Sequence, residues 1–243
     1  MSATTIFARR SLLKSTVVLL AFIYFSLIDG QSWARDRIPF GINKIIFEFN
    51  STGQDLGVQV SLDGEPWNVV KIVNPKGRTI FEVEGKGNLK NFGLTELFFE
   101  SHEPSILEVP IAEIFDRFPE GDYKFTGRTV EGDILVGTAT LNHRIPAGPV
   151  IVSPAPGSAV DRNNAVIAWT PGNSAQGIQI GGFQVIVDGG SPARRLDVVL
   201  PAATTSMKVP AEFLEEGTPY KFEVLAIEIG GNQSITEGEF STN

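Results

Sequence analysis

Residues 214–232 read LEEGTPYKFEVLAIEIGGN. From Tyr220 onward the apolar residues alternate. Tyr220, Phe222, Val224 and Ala226 fall on one face, and Leu225, Ile227 and Ile229 fall on the other. A period of two is the mark of a β-strand, whose side chains point by turns to opposite faces. Gly217 precedes the run and Gly230-Gly231 ends it, which is turn punctuation. A face carrying a tyrosine and a phenylalanine has to go inside, and the tyrosine hydroxyl then needs a buried partner that a nearby backbone group can supply. The stretch therefore predicts a central strand of an antiparallel sandwich. Its second face is also apolar, so Leu225, Ile227 and Ile229 are interaction candidates. They are covered by the neighbouring strands or the first half of the chain, or they form a contact patch.

Short runs of the same period surround this strand. AVIAWTP (165–171) places Ile167 and Trp169 together, and IGGFQVIVDGG (180–190) places Phe183, Val185 and Val187 together before a glycine turn. ARRLDVVL (193–200), TSMKVP (205–210) and EGEFST (237–242) complete a series of strands broken by turns, the pattern of an antiparallel sandwich. Upstream, IPAGPVIVSPAP (145–156) holds four prolines in twelve residues and reads as a stiff, extended boundary.

These residues carry a resemblance. A strand closing in WTP, then IGGFQVIV, then LEEGTPYKFEVLAIEIGGN is similar to a fibronectin type III domain over 148–243. The resemblance implies that Trp169 fills the core from the second strand. It also implies that Tyr220 forms the corner before the sixth strand, with Leu214 and Gly217 leading into it. Trp169, Phe183, Val185, Tyr220, Phe222 and Val224 are the expected structural core. The chain has no Arg-Gly-Asp tripeptide, so the integrin-binding role of some members of that family is not implied.

Residues 40–146 also read mostly β. KIIFEFN (44–50) alternates Ile45, Phe47 and Phe49 against Glu48, and GVQVSLDG (57–64) alternates Val58, Val60 and Leu62 before an Asp63-Gly64 turn signal. NVVKIVNPKGRTIFEVEG (68–85) and YKFTGRTVEGDILVGTATL (123–141) read as hairpins, the second turning at Glu131-Gly132. PIAEIFDRF (110–118) differs. Ile111, Ile114, Phe115 and Phe118 have helical spacing after a starting proline, which predicts a short helix near 111–118. FPEGDYKFTGRTVEGD (118–133) loosely resembles the last hairpin of bacterial immunoglobulin-like modules. The predicted fold class is all-β: two β-sandwich-like domains in tandem, the first with one short helix and the second fibronectin type III-like. No residue-level repeat relates the halves.

Residues 1–34 read as a signal peptide. Arg9, Arg10 and Lys14 precede an apolar run from Val17 to Ile28, and Ser32 and Ala34 are the small residues of a cleavage site after Ala34. ARRSLLK (8–14) resembles a twin-arginine export motif with Leu12 in place of its usual phenylalanine, so general secretion and twin-arginine export both stay open. The expected location is periplasmic or secreted, with no membrane span once the signal is removed. The chain's net charge is −8. Losing three basic residues and one acid (Asp29) with the leader moves it to −10. That balance repels phosphate backbones and excludes nucleic acid as the natural partner. The absence of cysteine rules out disulfides, thiol catalysis and cysteine-ligated zinc.

Catalytic and cofactor motifs are missing. There is no phosphate-cradling glycine loop, no GxSxG, no HExxH and no calcium loop, and GKGNLK (85–90) reads as a turn. The one suggestive cluster is ELFFESHEP (96–104), with Glu96, Glu100, His102 and Glu103. It reads as a strand with Leu97 and Phe99 inside, a solvated acidic face and a histidine-bearing turn; nothing in it desolvates a carboxylate. With two histidines, His102 and His143, a His-rich metal site is ruled out. No catalytic residue, metal or cofactor is expected. The expected role is a non-catalytic binding or structural module of the bacterial envelope, contacting an envelope or cell-surface protein or a polysaccharide. The alternative is an envelope hydrolase or carbohydrate-active enzyme with a carboxylate pair in the N-terminal domain. The sequons Asn50-Ser51-Thr52 and Asn232-Gln233-Ser234 would matter only in a eukaryotic host.

Overall fold

The computed structural model describes residues 35–243, and the leader expected over residues 1–34 lies outside them. Among the described residues no helix is long and apolar enough to cross a membrane.

The alternating run from Tyr220 forms β14, Pro219–Glu228. It lies between β11 (Ile180–Gly189) and β15 (Gln233–Thr242), antiparallel to both, and β12 (Arg194–Pro201) flanks β11. A second layer has the order β13 (Ser206–Lys208), β10 (Val166–Thr170), β8 (Val150–Ser153). Three strands packed on four in this order make a fibronectin type III-like sandwich. Trp169, Phe183, Val185, Tyr220, Phe222 and Val224 all lie in the core between the layers, each at most 1% exposed. The Tyr220 hydroxyl accepts the backbone N–H of Glu215 at 2.7 Å. This ties the loop before β14 to the ring inside and satisfies both groups. The short β9 (Ser158–Val160) runs parallel beside the end of β15.

The first half is organised by one strand. β3 runs unbroken from Asp55 to Val73. Its first part pairs with β2 (Ile42–Asn50) and β5 (Leu94–Glu100), and its second part pairs with β4 (Thr79–Glu84) and β6 (Gly121–Thr129). The expected Asp63-Gly64 turn does not reverse the chain: these residues lie inside β3, where the pairing shifts register between Asp63 and Trp67. The Asp-Gly hairpin signal depends on left-handed backbone, and Gly64 has none. Its lack of a side chain serves packing instead, because a Cβ there would meet the Phe40 ring at 3.0 Å. β7 (Ile134–Leu141) pairs with β6, and β1 (Arg37–Pro39) runs parallel to β7. One strand thus serves both layers, with Phe47, Leu56, Trp67, Ile72, Tyr123 and Phe125 buried between them.

Two short helices are present among the described residues, where one was expected. α1 (Asn88–Phe92) occupies the stretch read as a turn and buries nothing. α2 (Ile111–Arg117) buries Ile114 and packs Ile111, Phe115 and Phe118 on the first core, as its spacing predicts. His143 completes this lid. Its ring stacks on Phe115 at 3.9 Å between centroids, and Nε2 lies 2.9 Å from the Phe118 carbonyl.

Tyr123 of β6 is a second tyrosine corner. It is fully buried, and its hydroxyl donates to the Pro119 carbonyl at 3.1 Å. EGDYKF (120–125) and EGTPYKF (216–222) thus play corresponding parts in the two halves.

Replacing Tyr220 by Phe leaves the Glu215 N–H without its acceptor, and the expected cost is about 1–2 kcal/mol. Tyr123→Phe removes a donor from a carbonyl, which tolerates the loss better, and about 1 kcal/mol is expected. Urea denaturation of both variants checks this order. Equal stability of Tyr220→Phe and the parent protein would contradict the corner.

Candidate functional site

The two sandwiches are joined by a sheet, not merely by a linker. At its start β15 pairs in parallel with the end of β2, matching Gln233 with Glu48, Ser234 with Phe49 and Ile235 with Asn50. Ser51 continues the seam, its N–H donating to the Ile235 carbonyl at 2.8 Å and its hydroxyl lying 2.8 Å from that of Thr236. The Asn50 amide donates to Glu237 at 2.8 Å. Asn232 is 1% exposed, and its Oδ1 accepts the Phe47 N–H at 2.9 Å. Its Nδ2 donates to the carbonyls of Asn142 (2.8 Å) and Arg144 (3.1 Å). Arg144 in turn pairs at 3.0 Å with Glu228, whose side chain is wholly buried.

The proline-rich boundary lies against this seam. Ser234 donates its hydroxyl to the Pro146 carbonyl at 2.5 Å, and a Cβ on Gly148 would fall 2.3 Å from the Ser51 hydroxyl. Glycine is required there by close packing.

Continuity of the sheet places the strongest electrostatic feature of the described residues on its outer face. Glu48, Glu100 and Glu103 have carboxylate oxygens that all lie within 4.8 Å of one another. Glu48 is 8% exposed and accepts a hydrogen bond from the Gln233 amide across the seam. Glu100, at the exposed end of β5, accepts from Gln59 at 3.0 Å. Glu103 is half-buried and lies over Gly57, where a Cβ would come within 2.5 Å of its Cγ. The segment carrying Glu103 is held by the Leu56 N–H on the Pro104 carbonyl and by the Ile106 N–H on the Gln54 carbonyl.

Two like charges at this separation repel by about 3 kcal/mol at an effective dielectric of 20. Burial, opposed by the Gln233 hydrogen bond and reinforced by Glu100 and Glu223, pushes the Glu48 carboxyl up to about 7. Burial and then the charges of Glu100, Glu48 and Asp55 push Glu103 up to about 8. Asp55 and Glu223 are shifted upward as well, burial being the main cause in each. Both shifts favour the protonated carboxyl at Glu48 and Glu103. As a donor set it is three hard oxygens, the type that a divalent cation takes and that a shared proton also satisfies.

The acidic end of β5 was expected to be purely solvated; the missing element is Glu48, which burial under β15 turns from a wet-face residue into a desolvated one. His102 stands exposed in its turn. Of the interaction candidates, Leu225 is buried at 2% between Ile186 and Ile235 of the flanking strands, and Ile227 is half-buried. Ile229 alone is exposed, at 63%. The three do not form one open stripe, because side chains from β11 and β15 close over its middle. Both sequon asparagines, Asn50 and Asn232, are parts of the seam.

A separate cleft of about 460 Å³ lies at the opposite end of the second sandwich, lined by Gly157, Gly189, Tyr220 and Phe240 and rimmed by Asp188, Lys221 and Glu239.

The raised carboxyls set a pH dependence. A carboxyl whose folded value lies above its unfolded value near 4.5 contributes stability that is fully present below 4.5 and is lost as pH rises through the folded value. For Glu48 and Glu103 this window runs from about pH 4.5 to about 8. The melting temperature is expected to fall by roughly 5 °C between pH 5.5 and 8.5, and Glu48→Gln is expected to flatten much of that slope. Thermal melts across this range check it; a flat profile for the unsubstituted protein would contradict the proton assignment.

No protein-family model matches the chain. No curated protein matches it. Among solved structures, a two-domain fibronectin type III segment of chicken tenascin is similar at 13% identity, over 83% of this chain and 98% of that one, with a TM-score of 0.32. A structure titled as that of a myokine is similar at 25% identity over 40% of this chain and 96% of the other, with a TM-score of 0.29. The twitchin kinase region from C. elegans is similar at 16% identity over 37% of this chain and 15% of that one, with a TM-score of 0.27. The all-β, fibronectin type III-like assignment stands on the strand order and buried residues of this chain.

Proposed function

We propose that the chain is an exported, non-catalytic module of the bacterial envelope. It holds two sandwiches in a fixed relation and presents their end loops and sheet edges to an envelope or cell-surface protein or a polysaccharide. The observation that carries this reading is the seam. A flexible linker would let the two sandwiches search space independently, whereas β2–β15 pairing and the Asn232 hydrogen bonds give a single semi-rigid spacer. Loops held by such a scaffold, and edge strands such as β8 and β12, are the surfaces through which sandwich modules make contact. The basic and apolar leader, with its small-residue exit after Ala34, supports the location.

A hydrolase reading has one observation in its favour, the desolvated carboxyls of Glu48 and Glu103 beside Glu100. Their mutual separation, within 4.8 Å, is shorter than the roughly 6.5–9.5 Å an inverting pair needs and lies nearer the roughly 5–5.5 Å of a retaining pair. Against it, Glu48 is 8% exposed and capped by the Gln233 amide, which a substrate would have to displace.

Expression of the whole chain in a bacterium, followed by fractionation and N-terminal sequencing, tests the location: the expected product is in the envelope fraction and begins at Arg35. A cytoplasmic product that keeps residues 1–34 would overturn it. Incubation of the same product with envelope polysaccharides is expected to release no fragments. Turnover that disappears in Glu103→Gln would establish the hydrolase instead.

A further inference from the structure

We propose that the carboxyl cluster is a pH-sensitive latch on the seam: while it shares a proton the β2–β15 pairing stays closed, and loss of that proton opens those three residue pairs while both cores stay folded. This goes beyond the module reading and does not depend on export or on any partner.

The geometry decides which contact gives way. Of the three carboxyls, Glu100 stands at an exposed strand end and can turn into water. Glu103 rides on a segment fastened to β3, directly over Gly57. Glu48 is buried opposite Gln233 at the start of β15, so lifting that end of β15 brings water to it. The pairing that must lift is three residue pairs long and parallel, the less stable arrangement per residue.

The groups facing Glu48 do little to neutralise it. From its own strand comes Lys44, an attractive charge that is itself lowered by burial. β3 contributes the neutral Gln59, with Asp55 at its start acting on Glu103; β5 contributes Glu100 and the following segment Glu103. β14 contributes Glu223, which Arg195 of β12 partly offsets, and β15 contributes the neutral Gln233, with Glu237 acting on Asp55 and on Glu223. Apart from Lys44, and Arg195 beside Glu223, the charged groups are acids, so deprotonation adds repulsion at the three-pair junction.

The Asn232 hydrogen bonds lie on the other side of the seam and contain no titrating group among Asn142, the Arg144 carbonyl and the Phe47 N–H. They keep the halves attached while the pairing opens. The result is a hinge, not dissociation.

Hydrogen exchange on the protein at pH 5.5 and 8.5, with a chelator present and intrinsic rates corrected, tests the latch. Protection at 48–51 and 233–236 is expected to fall about tenfold or more at the higher pH, while β6 and β11 keep theirs. Glu48→Gln, which keeps the shape and removes the proton exchange, is expected to hold protection at both pH values. Glu103→Gln serves as the second variant and is expected to reduce the drop. No selective drop in the unsubstituted protein, or a drop of equal size in both variants, would overturn the proposal. So would a uniform loss across all strands.

Discussion

One side-chain amide, that of Asn232, meets two segments that lie far from it and from each other in the chain. Its oxygen takes the N–H of Phe47, and its nitrogen gives to the backbone at Asn142 and Arg144. An asparagine amide has two N–H groups and one carbonyl to satisfy, and in a buried position each unmet group is costly. Meeting them here fixes where β15 begins relative to β2. The sheet register follows: Gln233 opposite Glu48, Ser234 opposite Phe49, Ile235 opposite Asn50. The two sandwiches keep separate cores but share one sheet face, and the proline-rich stretch between them is pinned along the joint.

That shared face has an electrostatic consequence. In an isolated first sandwich, Glu48 would lie on the outer face of an edge strand with water on one side. Docking β15 beside it excludes that water and leaves the carboxyl close to Glu100 and Glu103. Further along the same face Glu223 and Glu237 are directly opposed across β14 and β15. Like charges set opposite one another are destabilising. The chain tolerates this by placing neutral amides, Gln59 and Gln233, between the acids and by keeping protons on some of them. Joining the halves and tuning the carboxyls are therefore the same structural event.

What could be read in the sequence was set by local periodicity. Alternation over 220–226 put Tyr220, Phe222 and Val224 inside because the pattern and its punctuation lie within a dozen residues. The stripe Ile111, Ile114, Phe115, Phe118 gave α2 for the same reason. The failures are non-local. Glu48 reads as a wet-face residue in KIIFEFN, and the group that buries it stands 185 positions away. Leu225 reads as outward-facing, and so it is, but Ile186 and Ile235 meet over it. Asn232 reads as a sequon, while its amide is consumed by the seam. Asp63-Gly64 carries a hairpin signature, but with Trp67, Val70 and Ile72 to bury in the other layer the chain goes straight on. The second tyrosine corner did have a signal, the shared Glu-Gly and Tyr-Lys-Phe of 120–125 and 216–222, hidden by the extra residue between them in the second half.

The seam makes the two sandwiches one cooperative body. Differential scanning calorimetry at pH 5.5, where the seam is closed, of the protein and of Phe125→Leu, whose substituted ring lies wholly within the first core, tests it most directly. A single transition with equal calorimetric and van't Hoff enthalpies is predicted, and the substitution should move it whole to lower temperature. Two resolved transitions, with only one displaced by Phe125→Leu, would contradict the seam as the element that unites the structure.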